Sequence, residues 1–182
     1  MKYFNILLLT AAFSMNVSFA VDDPEMRRRE ILFIQAFKQC TPEGLHKSGN
    51  ALFRQGKFDE AKTKYSEALG FTLFSEKKRG DCLGKMGIIY SIQNKIDEAI
   101  EQFTKLLALP EFHKFDIQDR VDYHLLLAEA YCIKNNIPSA ITQYKVALGM
   151  SSAFNGRTQY CLKVMDMIKA QESQASNANN KF

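Results

Sequence analysis

Histidine and cysteine side chains are among the groups of this 182-residue chain that could act as nucleophiles, general bases or metal ligands. The histidines His46, His113 and His124 stand far apart in the sequence, and a pair such as Cys40 with His46 could place a nucleophile beside a base. The sequence contains no HExxH, GxSxG or phosphate-binding glycine motif. We therefore expect no catalysis, no metal site and no cofactor, and we interpret the histidines as structural.

The segments that would position such residues recur three times along the chain. Each copy has a small residue in a first segment, followed by a second segment with the pattern Ala-x-x-x-aromatic. The small residues are Gly49, Gly87 and Ala128, and the later pairs are Ala61 with Tyr65, Ala99 with Phe103, and Ala140 with Tyr144. An aromatic residue four positions after an alanine lies on the same face of a helix. Ala61 and Ala99 are 38 residues apart and Ala99 and Ala140 are 41 apart, which indicates a stacked helical repeat.

The second copy resembles the tetratricopeptide repeat (TPR), which pairs two antiparallel helices in about 34 residues. The residues that carry the resemblance are Leu83, Met86, Gly87, Tyr90, Ala99 and Phe103. The resemblance covers roughly residues 42–150 and implies an all-α, TPR-type right-handed helical solenoid. Its three repeats would occupy about 42–75, 80–110 and 121–150, with the extra residues of each repeat in the connections near 71–80 and 111–118.

Helices on both sides of the repeats would cap the solenoid, because terminal repeats expose apolar faces. The first lies within residues 21–41, after the helix-start sequence Asp22-Asp23-Pro24, and the second covers 153–170. The alternative for the first helix, residues 24–38, is that it lies in the groove as an inhibitor. The tail 171–182 is rich in Ser, Asn and Gln, so we expect it to be disordered.

Residues 1–20 have the pattern of a secretory signal peptide. Lys2 precedes an apolar run at 6–13 that is too short to span a membrane, and Ser18-Phe19-Ala20 predicts cleavage after Ala20. The alternative is an uncleaved anchor. We therefore expect an exported protein, periplasmic or secreted, with no stable membrane insertion after cleavage. The net charge of +4 is too small to indicate nucleic-acid binding.

In the TPR family the first helix of each pair lines the concave face, so the resemblance implies a partner-binding groove there. The residues implied to face the groove are His46, Lys47, Asn50, Phe53, Arg54, Lys85, Ile88, Ser91, Ile92, Asp122, Leu125, Leu126, Glu129 and Ile133. This groove would be polar and basic at one end and apolar towards the other. It would suit an amphipathic helix or an extended peptide with an acidic end. The alternative for the aliphatic residues is packing between repeats.

Some TPR modules clamp the C-terminal carboxylate of cytosolic heat-shock chaperones with lysine, asparagine and arginine residues. Asn50 fits that pattern, but His46 stands in place of a lysine and Lys85 in place of an asparagine. Asp122 and Leu126 replace the basic pair of the third repeat. The sequence therefore does not predict this clamp.

The four cysteines are Cys40, Cys82, Cys132 and Cys161, and they form neither a CxxC pair nor a zinc-ligand spacing. An even number of cysteines behind a signal peptide allows two disulfides. Cys40 and Cys82 would lie near the starts of neighbouring parallel helices, so they are the first candidate disulfide. The alternative is free thiols, because reduced cysteine packs as a small core residue.

The sequence as a whole predicts a protein–protein interaction module, an adaptor or assembly factor that binds another protein or a peptide segment in its groove. The alternative is a cytosolic chaperone similar to those of type III secretion translocators, which also have a leading helix and three TPRs. That alternative requires an N-terminus that is not cleaved. The pattern does not predict an oligomeric state.

Overall fold

The computed structural model describes residues 24–150, 159 and 162–170, and within these residues the chain is helical without strands. The chain divides into two units, Met1–Thr41 and Pro42–Phe182. The predicted signal peptide and the tail 171–182 lie outside the described residues, as does Cys161.

Helix α1 (Pro24–Gln39), with Cys40 and Thr41 after it, is the described part of the first unit. It begins at a proline, whose fixed φ suits the first turn, and Glu25 and Lys38 match the helix dipole at its two ends. None of its residues is buried, and Ile31 and Leu32 are 55% and 57% exposed. Its role as a cap, and the alternative role as a groove inhibitor, stay predictions.

The second unit contains three helix pairs in chain order. They are α2 (Pro42–Arg54) with α3 (Phe58–Leu69), α4 (Glu76–Ile92) with α5 (Ile96–Leu107), and α6 (Ile117–Ile133) with α7 (Ile137–Met150). The two helices of each pair pack along their length, and each pair packs against the next. A short 3-10 helix, Phe112–Lys114, lies between α5 and α6. The predicted all-α solenoid of helix pairs is thus confirmed.

The three turns within the pairs share one backbone conformation. Gly56, Asn94 and Asn135 have positive φ angles of 73°, 57° and 56°. In each turn the amide of the next residue donates to the carbonyl five residues earlier, at 3.0, 2.8 and 2.9 Å. This is the Schellman ending of a helix, in which a left-handed residue, favoured by Gly or Asn, satisfies the last carbonyls. It reverses the chain within a few residues and makes the paired helices antiparallel.

Small residues let the paired helices cross closely, as the repeat pattern predicts. A Cβ atom on Gly49 would lie 2.6 Å from a ring carbon of Tyr65, and one on Gly87 would lie 2.5 Å from a ring carbon of Phe103. Tyr65 and Phe103 are both completely buried. The glycines therefore provide the space that the aromatic side chains of the second helix fill.

The core of the third helix pair extends into a final helix, α8 (162–170). Met165 and Ile168 of α8 are each 7% exposed and belong to the same apolar cluster as Val121 and Tyr144. This packing covers the last helix pair, which is what a C-terminal cap requires.

Helices α4 and α6 have 17 residues, whereas α2 has 13. They begin at Glu76 and Ile117, inside the segments near 71–80 and 111–118 that were predicted to be connections. Part of the residues in excess of the usual repeat length therefore lengthens the helices. The guanidinium of Arg79 stabilises the added turn by donating to the carbonyls of Leu69 at 3.1 Å and Phe71 at 2.8 Å. The first of these bonds satisfies a carbonyl at the end of α3 that has no partner within the helix, and the second holds the connection that follows.

Candidate functional site

Helices α2, α4 and α6 are neighbours and carry the residues predicted to line the groove. We call the surface formed by these three helices the inner face. A polar network and two cavities occupy it, and each brings together side chains from two or three of the helices.

The polar network joins α2 to α4 through Asp81. One carboxylate oxygen, Oδ2, lies 2.6 Å from His46 Nε2 and 3.3 Å from Asn50 Nδ2, and the other accepts from Lys85 Nζ at 2.6 Å. The hydroxyl of the buried Tyr65 donates to Asn50 Oδ1 at 2.7 Å and ties the network to the core. Because the distance from His46 to the carboxylate is so short, we assign a proton to Nε2 that points at Asp81.

Two opposing effects set the charge state of Asp81. Burial raises its pKa, but hydrogen bonds from His46 and Lys85 outweigh burial and lower the pKa from 3.8 to about 2. The carboxylate is therefore ionised at all ordinary pH values. It holds His46, Asn50 and Lys85 in internal bonds, so these groups are already engaged by an acid of the same chain.

Asp81→Asn should reduce the free energy of unfolding by about 1–2 kcal/mol at pH 7. The pKa of Asp81 is lower in the folded chain than in the unfolded chain, so the ionised carboxylate favours folding. Its contribution is complete above about pH 5 and disappears as the pH falls towards 2. Asp81 is 30% exposed, so the expected effect is smaller than that of breaking a fully buried ion pair.

Urea unfolding of both proteins between neutral and acidic pH measures this effect. Asp97→Asn is the control, because the pair of Asp97 with Lys134 is exposed and should contribute less than about 0.5 kcal/mol. A loss in Asp81→Asn that stays the same at low pH would contradict the assigned ionisation.

The first cavity, the polar cavity, has a volume of about 400 Å³. It is lined by His46, Lys77, Lys78, Asp81, Lys85, Phe115, Asp119 and Tyr123. The network around Asp81 thus forms one of its walls. Five of its eight lining residues are lysines or aspartates, but carbon atoms make up more of its exposed wall than nitrogen and oxygen atoms do, so this cavity can accept a ligand that offers both polar and apolar groups.

The second cavity, the acid-rimmed cavity, has a volume of about 370 Å³. Its apolar lining comes from Ile88, Leu125 and Leu126, and its acidic lining from Asp119, Asp122 and Glu129, together with Tyr123. Ile88 and Leu126 are partly buried, so their side chains combine packing with an accessible surface. The cavity can therefore accept an apolar side chain.

Asp119 and Tyr123 line both cavities, so the cavities adjoin along the inner face. Gly84 makes this arrangement possible, because a Cβ there would lie 2.5 Å from the ring of Tyr123. Burial raises the pKa of Tyr123, which keeps its phenol neutral. The two cavities thus adjoin on the inner face, one lined mainly by charged residues and the other by both apolar and acidic residues.

The structure brings half of the predicted groove residues to these cavities. They are His46 and Lys85 at the polar cavity, and Ile88, Asp122, Leu125, Leu126 and Glu129 at the acid-rimmed cavity. Asn50 belongs to the polar network, in which it connects Asp81 at the polar cavity with the buried Tyr65. Lys47, Arg54, Ile92 and Ile133 are exposed and line neither cavity.

Three of the predicted groove residues also have a structural role. Leu125 is 9% exposed and belongs to the core of the third helix pair, which fits the alternative of packing. Phe53 packs edge-on against Phe58, with ring centroids 5.8 Å apart. The hydroxyl of Ser91 donates to the carbonyl of Gly87 at 3.1 Å, within α4.

Sequence reasoning missed the residue that organises the site, Asp81, and the residue shared by the cavities, Tyr123. One signal for Asp81 was present, because it precedes Lys85 by four residues and so lies on the same helix face. The other missed lining residues are Lys77, Lys78, Phe115 and Asp119. Lys77 and Lys78 fall in the added first turn of α4, which the predicted repeat boundaries excluded.

The described cysteines are unbonded thiols, and the remaining two histidines each form a hydrogen bond within the chain. Cys40, Cys82 and Cys132 are free thiols in the structure, and the disulfide between Cys40 and Cys82 stays a prediction. Burial raises the pKa of Cys82 to about 12, so its thiol is not reactive in this state. His124 Nδ1 lies 2.8 Å from Gln143 Oε1, and His113 Nδ1 lies 3.1 Å from a backbone carbonyl.

Neither a metal site nor a membrane span is present in the part of the chain that the structure describes. No group of three or more His, Cys, Asp or Glu side chains there is arranged to hold a metal ion. None of the helices in the same residues has the length and apolar composition needed to cross a bilayer.

Comparisons with known proteins agree with this architecture. Residues 41–111, which contain α2 to α5, match the tetratricopeptide repeat family model. A solved structure, the N-terminal domain of stress-induced protein-1 (STI-1) from C. elegans, superposes with a TM-score of 0.58 at 16% identity, over 70% of this chain and 94% of that chain. No curated protein matches the sequence. The chain therefore has the fold of an all-α TPR solenoid.

Proposed function

We propose that this protein is an adaptor or assembly factor that binds a segment of another protein along its inner face, without catalysis. The observation that carries the proposal is the pair of adjoining cavities on α4 and α6, which offers polar and apolar contacts side by side. A helix or an extended peptide presents side chains of both kinds along one face, so it can occupy both cavities at once.

The polar network supports this proposal because it makes the inner face rigid before any partner binds. Asp81 fixes side chains of α2 and α4 through bonds of 2.6 Å to His46 and Lys85. Tyr65 connects the same network to the buried core. A preformed surface loses less conformational entropy on binding, which favours affinity.

Leu126→Asp and Ile92→Asp should each abolish partner binding and leave the helical circular dichroism intact. Leu126 lines the acid-rimmed cavity, whereas Ile92 is 58% exposed farther along α4 and tests whether the partner extends beyond the cavities. A buried charge at an apolar contact loses the favourable burial and adds a desolvation penalty. Quantitative co-purification of partners with the tagged protein from its native cells measures the effect.

Leu73→Asp is the matched control, because Leu73 is 94% exposed in the connection between α3 and α4. It should bind partners as the native chain does. Leu126 also packs near Ala99 and Phe103, so thermal unfolding must accompany the binding assay. Normal co-purification with a folded Leu126→Asp protein would refute the proposed binding surface.

We further propose that the protein acts after export, in the periplasm or outside the cell. The support is the signal-peptide pattern of residues 1–20, with its apolar run and small-x-small cleavage site. The intact mass of the natively expressed protein should correspond to a chain that begins at Val21. A cytosolic chain that retains Met1 would contradict export and favour the translocator-type chaperone. Peptide mapping without reduction would show whether Cys40 and Cys82 are bonded.

A further inference from the structure

A third cavity, which we call the outer cavity, is lined by residues of α3, α4 and α5 and has a volume of about 460 Å³. It lies on the side of α4 opposite the inner face, because Leu83, which lines it, follows Asp81 by two positions of the helix. Its volume is in the range of cavities that hold small ligands. The exposed residues Ser66 and Lys105 belong to its lining, so the cavity opens to the surface.

The outer cavity contains a buried polar side chain, that of Gln102 in α5. Gln102 is 7% exposed, and its side-chain amide forms no hydrogen bond with any other residue that the structure describes. Because Gln102 lines the cavity, its amide is available to a group that enters the cavity. Burying an amide without a partner destabilises a protein, whereas an apolar side chain of similar length would not have this effect. Packing alone therefore does not account for a glutamine at this position.

The two cationic side chains of the outer cavity already have partners in the chain. The guanidinium of Arg79 donates to two backbone carbonyls, and its Nε lies 3.8 Å from Glu76 Oε1. Lys105 forms an ion pair of 2.6 Å with Glu101. A carboxylate ligand would have to compete with these internal partners, and an ammonium ligand would be repelled by the two cations. The surroundings of Gln102 therefore favour a neutral polar group.

The rest of the outer cavity is aliphatic. Leu83 and Met86 of α4 are buried, and Leu69 and Leu109 are partly buried. These side chains offer carbon atoms against which an aliphatic group of a ligand can be removed from water. A ligand that fits this cavity combines an aliphatic body with one neutral polar group that reaches Gln102.

We propose that the outer cavity binds an aliphatic amide, whose amide group pairs with Gln102 while its body packs on Leu83 and Met86. The side chain of glutamine carries a donor and an acceptor side by side, and an amide offers one of each in return. A carboxylate offers acceptors alone and an ammonium group offers donors alone. A peptide group beside an aliphatic side chain and a free aliphatic amide share this chemistry. The site is separate from the inner face, so the inference does not depend on the proposed function.

Three ligands with the same leucine-like body separate these chemistries: isocaproamide, isocaproate and isohexylamine. Titration of the isotope-labelled full chain, followed by NMR, reports the side-chain amide of Gln102 and the backbone amides of Leu83 and Met86. Isocaproamide should shift these signals saturably and bind at least about tenfold more tightly than the other two ligands, because it alone satisfies both groups of the glutamine. N-acetyl-leucine methylamide identifies the source of the ligand: tighter binding than isocaproamide assigns a peptide, and weaker binding a free amide.

Gln102→Met removes the amide and keeps most of the length of the side chain. It should lose the preference for isocaproamide, measured at the backbone amides of Leu83 and Met86. It should also unfold at the same temperature as the native chain or at a higher one, because a buried polar group without a partner is gone. Gln55→Met is the matched control, because Gln55 is exposed after α2 and does not line the cavity. The control should keep the preference.

Equal binding of the three ligands, or tightest binding of the carboxylate or the amine, would overturn the inference. So would the lack of saturable binding, which would mean that solvent alone satisfies Gln102. A Gln102→Met protein that keeps the preference, or that unfolds at a clearly lower temperature, would assign Gln102 a role in packing instead. Leu126→Asp changes the inner face alone, so it should bind isocaproamide as the native chain does, and loss of that binding would place the ligand at the inner face and overturn the inference.

Discussion

Gly87→Leu is expected to unfold the central helix pair. A Cβ atom alone at this position would lie 2.5 Å from a ring carbon of Phe103, closer than side-chain atoms approach one another. Phe103 is 0% exposed, so its ring is surrounded by other atoms and cannot move aside. Overpacking a core typically destabilises by about 1–3 kcal/mol, and the full leucine side chain at a helix crossing should exceed this range. Thermal unfolding followed by circular dichroism measures the loss.

Gly149→Ala is the matched control for this substitution. Gly149 lies in α7, it is exposed, and nothing lies within 4 Å of a Cβ atom placed there. Alanine is the better helix former, so the control should be neutral or stabilising by up to about 1 kcal/mol. If the Gly87→Leu protein has the same thermal unfolding midpoint as the native protein, α4 and α5 do not cross at this glycine.

Phe103→Ala should destabilise the chain by about 3–5 kcal/mol. The ring of Phe103 fills the space beside Gly87 and packs with Ala99 and Leu127, which links α5 to α6. Removing it leaves a cavity in the middle of the array, which neighbouring side chains can fill only in part. Urea unfolding gives the change in free energy.

Leu73→Ala is the control for Phe103→Ala, because Leu73 is 94% exposed and its truncation should change stability by less than about 0.5 kcal/mol. A loss below about 1 kcal/mol in Phe103→Ala would mean that the packing between the second and third helix pairs contributes little to stability.

The fold could be predicted from the sequence because its main determinants are local and repeat. The pairs Ala61 with Tyr65 and Ala99 with Phe103 lie four residues apart on one helix face, and the structure buries all four side chains. Glycine at the crossing is a requirement of size alone. Such features are visible in a single copy and become convincing when they recur in register.

The candidate site could be predicted only in outline, because its organisation depends on contacts between distant residues. His46 and Asp81 are 35 positions apart, and nothing in either segment predicts their bond of 2.6 Å. The added first turn of α4 brings Lys77 and Lys78 into the polar cavity, and the repeat pattern did not contain that turn. The repeat pattern predicts a mainly apolar groove along α6, because it identifies the face on which a residue lies and not the charge of its surroundings.

Site-specific photo-crosslinking in the native cells tests most directly whether the inner face binds a partner. A photoreactive phenylalanine analogue would replace either Leu126, in the acid-rimmed cavity, or Leu73, which is exposed in the connection between α3 and α4. We predict that illumination links a protein partner to the chain from position 126 and not from position 73. Crosslinks that form from position 73 while position 126 gives none, in a chain that is folded in both cases, would contradict binding at the inner face.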